Sequence, residues 1–170
     1  APRLAIQFLD RFGNETFMFE YGNQVWAVCN MSDAISEVNP LTVNLSVALP
    51  GQPRQSVIPT RLTHTTAFYT FISSQTMALG SYELSCGVFD YAGLFNSTSR
   101  TFVVTNPPPV LQPVGNRLTN ENQTVIIQLR AMDPENDTLI FDTNAHSALT
   151  TSSFFNSTMG LFIWTPTFRD

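Results

Sequence analysis

The stretch GSYELSCGVF, residues 80–89, alternates apolar with small or polar side chains over most of its length. Tyr82, Leu84, Cys86 and Val88 fall on one face of an extended chain. A repeat of two residues is typical of a β-strand with one buried face. The stretch therefore predicts a strand that contributes four side chains to the core of an all-β domain.

The same alternation recurs along the chain, while helical periodicity is nearly absent. It is found in QVWAVCN (residues 24–30), PLTVNLSV (40–47) and TVIIQLRA (124–131), which are separated by turns rich in Gly, Pro, Asn and Asp. The predicted inward-facing residues are Val25, Ala27 and Cys29 in the first, Leu41, Val43, Leu45 and Val47 in the second, and Val125, Ile127, Leu129 and Ala131 in the third. Short alternating strands of this kind predict β-sandwiches.

A run of prolines marks the predicted domain boundary. In TNPPPVLQP, residues 105–113, three consecutive prolines cannot donate hydrogen bonds to a sheet and favour a stiff, extended spacer. We therefore predict one domain over residues 1–105, a linker over 106–109 and a second domain over 110–170. The chain is expected to be a tandem array of β-sandwiches.

The two cysteines, Cys29 and Cys86, lie 57 positions apart, each on the predicted inward face of a strand. Two buried thiols would suit these positions, and so would a disulfide across the sandwich. The matching faces and the secreted character of the chain favour the disulfide. By loop-closure entropy such a bridge contributes about 4 kcal/mol to stability.

GSYELSCGVFDYAGLFNSTSRTFVV, residues 80–104, resembles the last two strands of bacterial and archaeal immunoglobulin-like repeats. The resemblance implies that residues 1–105 form one whole repeat. Two features depart from antibody-type domains: Tyr82 precedes Cys86 by four residues rather than two, and no Trp occupies the strand after Cys29. The tyrosine corner of antibody domains is therefore not expected here.

The second domain is similar to the putative-Ig and dystroglycan-type cadherin-like family. The similarity rests on NENQT (residues 120–124), AMDPENDTL (131–139) and FFNSTMGLFIWTPTF (154–168). In that family a further segment supplies two more strands, which this sequence lacks. Losing about five inward apolar side chains forfeits on the order of 10 kcal/mol of burial, so the second sandwich is expected to be incomplete. Either the polypeptide continues or another chain supplies the strands by β-augmentation, as in donor-strand completion.

Seven asparagines begin an N-x-[ST] triplet, where chance predicts about 2.6; they are Asn14, Asn30, Asn44, Asn96, Asn122, Asn136 and Asn156. The last three lie in turn-like segments, where Asn also suits a left-handed backbone. Asn30 and Asn44 lie on the polar faces of strands, from which a glycan projects into water. None of the seven has the acidic residue two positions upstream that bacterial glycosylation uses. The sequons therefore predict N-linked glycans on an archaeal or eukaryotic surface.

The turn DPENDT, residues 133–138, places Asp133, Glu135 and Asp137 close together, with Glu121 in an earlier segment. Such oxygen ligands suit Ca²⁺, and cadherin-like relatives use equivalent acidic positions. The alternative is an Asx-rich turn that caps its own backbone, which the absence of a cadherin linker motif favours. No other cofactor is expected. Asp90 is interpreted as a hairpin turn residue.

Other functional classes find little support. The net charge is −5 with eight Arg and no Lys, so no basic patch for nucleic acid is expected. No apolar run approaches the length of a membrane span. His64 and His146 are isolated in polar loops, and no catalytic motif is present, so the chain is not predicted to be an enzyme. Trp26, Phe89 and Phe95 are predicted to face outward, where together they would form an interface patch.

These features predict an extracellular, N-glycosylated structural protein of an archaeal cell surface, which builds a layer, stalk or filament. Its partners would be copies of itself or neighbouring domains of the same array. Two alternatives stay open: an adhesion or carbohydrate-binding module, and a non-catalytic spacer of a large secreted hydrolase.

Overall fold

The computed structural model of the protein describes residues 1–145 and 153–168. Its internal contacts divide the chain into two compact units, Ala1–Asn106 and Pro107–Asp170, and the division falls at the proline run. Both units are built from β-strands, which confirms the predicted all-β fold.

The first unit contains two sheets. The four-stranded sheet has the order β1-β3-β7-β6, and the five-stranded sheet has the order β2-β9-β8-β4-β5. The strands are β1 (Arg3–Leu9), β2 (Met18–Glu20), β3 (Val25–Ser32), β4 (Asn44–Ala48), β5 (Gln55–Val57), β6 (Arg61–Leu62), β7 (Thr66–Phe71), β8 (Gly80–Phe89) and β9 (Phe95–Thr105). All neighbours are antiparallel except β2 and β9, which run parallel. Buried residues from both sheets form one core, as in a β-sandwich.

The core of the first unit lies between these sheets and is crossed by a disulfide. Cys29 on β3 and Cys86 on β8 are bonded, with their Cα atoms 6.5 Å apart. In the same core, Phe71 and Phe102 contact each other edge to face, and Phe102 stacks on Tyr82 with ring centroids 4.9 Å apart. The four side chains predicted to face inward from residues 80–89 are all buried.

One predicted strand begins later than expected. Leu41 is 90% exposed, so the prediction that it faces the core was wrong. Residues Pro40–Thr42 form a 3₁₀ turn, because Pro40 fixes its first position and the Asn39 side chain accepts a hydrogen bond from the Leu41 N–H. Strand β4 begins only at Asn44, and Leu45 and Val47 are buried as predicted.

Tyr82 also differs from expectation. Its hydroxyl lies 2.8 Å from the carbonyl oxygens of both Gln75 and Ala78 and accepts a hydrogen bond from the Ala78 N–H. This is the upstream backbone contact that defines a tyrosine corner. The expectation that this contact is absent was therefore wrong: it forms although Tyr82 lies two residues earlier than in antibody domains.

The second unit has two small sheets: a pair β10-β12 and a three-stranded sheet of order β11-β14-β13. The strands are β10 (Val110–Leu111), β11 (Val125–Gln128), β12 (Ala131–Met132), β13 (Ser153–Asn156) and β14 (Leu161–Trp164). Among the described residues of this unit, Phe162 is the only large apolar side chain that is buried. The residues predicted to face inward here, from Val125 to Ala131, are half-buried.

Candidate functional site

The seven sequon asparagines all reach the surface of their units. Five are exposed, and Asn30 and Asn156 are half-buried. In the first unit, Asn14 lies in the turn after β1, Asn30 on β3, Asn44 at the start of β4 and Asn96 on β9. None of the seven asparagines is therefore buried in the core of its unit.

Three of these amides donate hydrogen bonds through Nδ2, and the first is that of Asn14, which donates to Asp10 Oδ2 at 3.2 Å. Asn30 Nδ2 donates to Gln7 Oε1 at 3.0 Å, and Asn96 Nδ2 donates to the Pro2 carbonyl oxygen at 2.8 Å. Glycosylation replaces one of the two hydrogens on Nδ2 and leaves the other. Each contact can therefore persist beside an attached glycan.

Two of the turn-like asparagines have the left-handed backbone considered from the sequence. Asn122 and Asn136 have φ angles of 59° and 62°. Asn156 does not: it ends β13, and its Oδ1 accepts hydrogen bonds from the N–H groups of Thr158 and Met159. All three therefore have a local structural role, whether or not a glycan is attached.

The acidic turn of the second unit is organised by its first residue. Asp133 Oδ1 accepts hydrogen bonds from the N–H groups of Glu135 and Asp137, each 3.0 Å away. Burial raises the pKa of Glu135, and the neighbouring Asp133 and Asp137 raise it further. Across residues 1–145 and 153–168, no three His, Cys, Asp or Glu side chains converge as a metal-binding group, and Glu121 is not brought to this turn in such a group. The geometry is that of a self-capped Asx turn.

One face of the three-stranded sheet is apolar and lines a cleft. Ile127 on β11 and Phe155 on β13 both pair with Phe162 on β14, so the three side chains form a row on the same face. Leu111, Val114 and Leu129 line the same cleft, whose volume is about 460 Å³. In a sandwich this face would be covered by a second sheet.

The three aromatic residues predicted to share a patch are separated. Trp26 is on β3 in the four-stranded sheet and is half-buried, whereas Phe89 and Phe95 face each other where β8 ends and β9 begins, with ring centroids 4.8 Å apart. The Phe95 ring also covers Gly87, where a Cβ atom would come within 2.8 Å of it. The single patch was therefore a wrong prediction, and Phe95 has a packing role.

A polar groove of about 610 Å³ lies beside β2 in the first unit. Asp10, Arg11 and Glu20 line it together with Phe12, whose side chain is 72% exposed. The Arg11 guanidinium lies over the Phe12 ring, 4.7 Å from its centroid. The groove thus offers charged groups and one aromatic face to a ligand, and no sequence pattern had indicated it.

A pair of buried carboxylates is the main feature that the sequence did not reveal. Asp90 caps the β8–β9 turn as predicted, since its Oδ1 accepts a hydrogen bond from the Leu94 N–H at 2.8 Å. The fold also brings Asp33, from the loop after β3, to the same end of the first unit, where both face the α-nitrogen of Ala1. His64 is exposed and lines a cavity with Asp33 and Glu37, and His146 lies outside the described residues.

Comparisons with known proteins give no identity. No family model matches the sequence, and no curated protein matches it either. Within the described ranges, no helix has the length and apolarity that crossing a bilayer requires.

Proposed function

We propose that the protein is a structural extracellular glycoprotein whose β-sandwich domains assemble into a cell-surface layer, stalk or filament. The observation that carries the proposal is the placement of the seven sequons, all at the surface of a disulfide-bridged, all-β chain. A disulfide fits an oxidising compartment, which is also where N-glycans are attached. The bridge and the sequons thus support the same location.

Glycans would supply the hydration that charged side chains do not. Only 12% of residues are charged, against about 25% in ordinary soluble domains. Large apolar side chains such as Ile35 and Ile58 are almost fully exposed. Sugars on neighbouring strands and turns would keep such a surface soluble and resistant to proteases. The absence of an acidic residue two positions before each sequon favours an archaeal or eukaryotic source over a bacterial one.

The apolar face of the second unit supports assembly. The row formed by Ile127, Phe155 and Phe162 lies in an open cleft, and β11 and β13 are the edge strands of their sheet. Edge strands with an uncovered apolar face accept further strands by β-augmentation. We propose that strands from a neighbouring domain or from another copy of the chain complete this sandwich.

The test is the intact mass of the native glycoprotein before and after enzymatic or chemical removal of glycans. We expect the mass to fall to that of the polypeptide, with peptide mapping locating sugars at several of the seven sites. Ser32→Ala should delete only the Asn30 glycan while leaving the Asn30–Gln7 hydrogen bond. A native protein with no glycan at any sequon would contradict the proposal.

The polar groove beside β2 favours a second candidate, a carbohydrate-binding module. An exposed aromatic ring with flanking charged and amide groups is a common way to hold a sugar. Glycan-array binding that Phe12→Ala abolishes and Tyr91→Ala leaves intact would favour this function. Binding to no glycan would leave the structural function as the better account.

A further inference from the structure

Two phenylalanine rings lie side by side on the outer face of the five-stranded sheet. Phe89 ends β8 and pairs directly with Phe95, which begins β9, and their ring centroids are 4.8 Å apart. Val88 is buried in the core, so the alternation of the strand turns Phe89 outward. The aromatic pair, Phe89 and Phe95, is 41% and 52% exposed, which leaves a costly apolar surface in contact with water.

The Phe95 ring leans from β9 across β8. A Cβ atom at Gly87 would lie 2.8 Å from Phe95 Cζ and 3.0 Å from its Cε2 atom, so only glycine leaves room for the ring. Gly87 does not have a positive φ angle, and the ring rather than the backbone therefore requires a glycine here. The ring thus extends beyond its own strand towards β4, which is the next strand of the sheet.

Asn44, the first residue of β4, lies on the other side of Gly87. The two residues pair directly in antiparallel register, and side chains at such positions share one face with their Cβ positions about 5 Å apart. Asn44 is exposed, and its side chain makes no hydrogen bond to any described residue. The other sequon amides of the first unit, at Asn14, Asn30 and Asn96, all donate hydrogen bonds. The nitrogen that would carry a glycan is therefore free and lies beside the aromatic pair.

Polar groups lie on the side of Asn44 that is away from the aromatic pair. Ser46, two residues further along β4, faces the same way and accepts a hydrogen bond from Arg54 Nη1 at 3.4 Å. Arg54 Nη2 also forms an ion pair with Glu83 Oε2 at 2.6 Å. A group attached to Asn44 would therefore have an aromatic surface on one side, and a guanidinium and a carboxylate on the other.

We propose that the aromatic pair packs against the innermost sugar of a glycan on Asn44, an inference that rests on the glycosylation proposed above. One face of a pyranose ring carries several C–H bonds, whose hydrogens are attracted to the electron-rich face of an aromatic ring. The hydroxyl groups at the edge of the sugar can bond to water, Arg54 and Glu83. The glycan would thus cover apolar surface as well as hydrate the chain.

The exposed area of the aromatic pair suits one sugar better than a protein partner. Two half-exposed phenylalanine rings present roughly 200 Å², whereas each side of a stable protein interface buries about 800 Å². The position of the sequon supports the same choice, because a glycan on Asn44 would obstruct a protein that approached the pair.

Contact between the sugar and the rings can be observed in the unaltered glycoprotein. We expect nuclear Overhauser cross-peaks between the Phe95 ring protons and the C–H protons of the innermost sugar on Asn44. Those sugar protons should also shift upfield, because they lie in the ring current. Glycopeptide mass spectrometry establishes that Asn44 is occupied. An occupied Asn44 with no cross-peak to either ring would show the inference to be wrong, as would an empty Asn44 while other sequons carry glycans.

Melting temperatures then measure what the contact contributes. Asn44→Gln removes the glycan and should lower the melting temperature of the first unit by about 4 °C, but by less than about 1 °C in a Phe95→Ala background. The matched background is Phe17→Ala, because Phe17 is 39% exposed and precedes β2, which β9 and β8 separate from β4. The full loss should remain there. An equal loss with and without the Phe95 ring would overturn the proposal.

Two other outcomes distinguish the aromatic pair from the wider function. Loss of self-association in Phe95→Ala, with the effect of Asn44→Gln unchanged, would assign the pair to a protein interface and contradict the inference alone. A native protein with no glycan at any sequon would contradict the proposed function, and the inference would fail with it.

Discussion

The two units show how one sequence pattern leads to different degrees of burial. In the first, alternating strands form two facing sheets that enclose nineteen buried apolar residues. In the second, strands with the same alternation leave a single large apolar side chain buried among the described residues. Alternation therefore specifies which side of a strand is apolar. Burial requires in addition a second sheet to cover that side.

Removal of the disulfide is expected to cause the largest loss of stability, and that loss should be confined to the first unit. We expect the double variant Cys29→Ala/Cys86→Ala to lower the free energy of unfolding of the first unit by about 4 kcal/mol, because the unfolded chain regains the entropy of an open loop. Urea titration followed by tyrosine fluorescence and hydrogen exchange would resolve the two units. An equal loss of protection in residues 107–170 would show that the two units do not unfold independently.

Tyr82 tests the tyrosine corner within the first unit. Tyr82→Phe removes the hydroxyl that contacts the Gln75 and Ala78 backbone, and we expect a loss of about 2 kcal/mol because those buried groups lose their partner. Tyr91→Phe, at an exposed tyrosine, is the matched control and should change stability by less than about 0.5 kcal/mol. Equal losses of stability in the two variants would show that the hydroxyl of Tyr82 does not stabilise the first unit.

The role of the uncovered apolar face of the β11-β14-β13 sheet can be tested by measuring self-association. Ile127→Ser places a polar group on the apolar face, and we expect it to weaken self-association or strand-peptide binding by about tenfold, or 1.4 kcal/mol. Ile126→Ser makes the same change on the opposite face of β11 and should have a smaller effect. Sedimentation velocity over a range of concentrations measures both. A larger effect of Ile126→Ser would assign assembly to the other face.

The smallest expected effect concerns the left-handed asparagines. In protein made without glycans, Asn136→Ala should cost about 1 kcal/mol and Asn136→Gly almost nothing, because only the Cβ atom opposes a positive φ. Thermal unfolding of the second unit measures the difference. At Asn44, at the start of β4, the Gly variant should be no more stable than the Ala variant. A more stable Gly variant at this position would contradict the explanation.

The sequence predicts features that depend on neighbouring residues, and among the contacts between distant residues it predicted the Cys29–Cys86 disulfide but not the meeting of Asp33 and Asp90. Residues 80–89 were correctly assigned because a two-residue repeat is visible locally. The Leu41 error arose because Asn39 and Pro40 favour a capped turn, which takes precedence over the alternation. The pairing of Asp33 with Asp90 depends on the bridge between Val38 and Asp90, and no local pattern encodes a contact between such distant loops. The tyrosine corner was missed because Tyr82 lies four residues before Cys86 instead of two, although its hydroxyl still contacts the backbone upstream.

The cross-sheet disulfide also limits how far the first unit can stretch. In the surface layer or filament that we propose, tension would act through the chain ends, and a sandwich under tension releases length as its strands separate. The bond between Cys29 and Cys86 keeps the 57-residue loop from joining that extension. At about 3.4 Å per residue, about 190 Å of chain therefore does not extend under tension. Only the segments outside the loop can lengthen, so the first unit would extend by much less than the same unit without the disulfide.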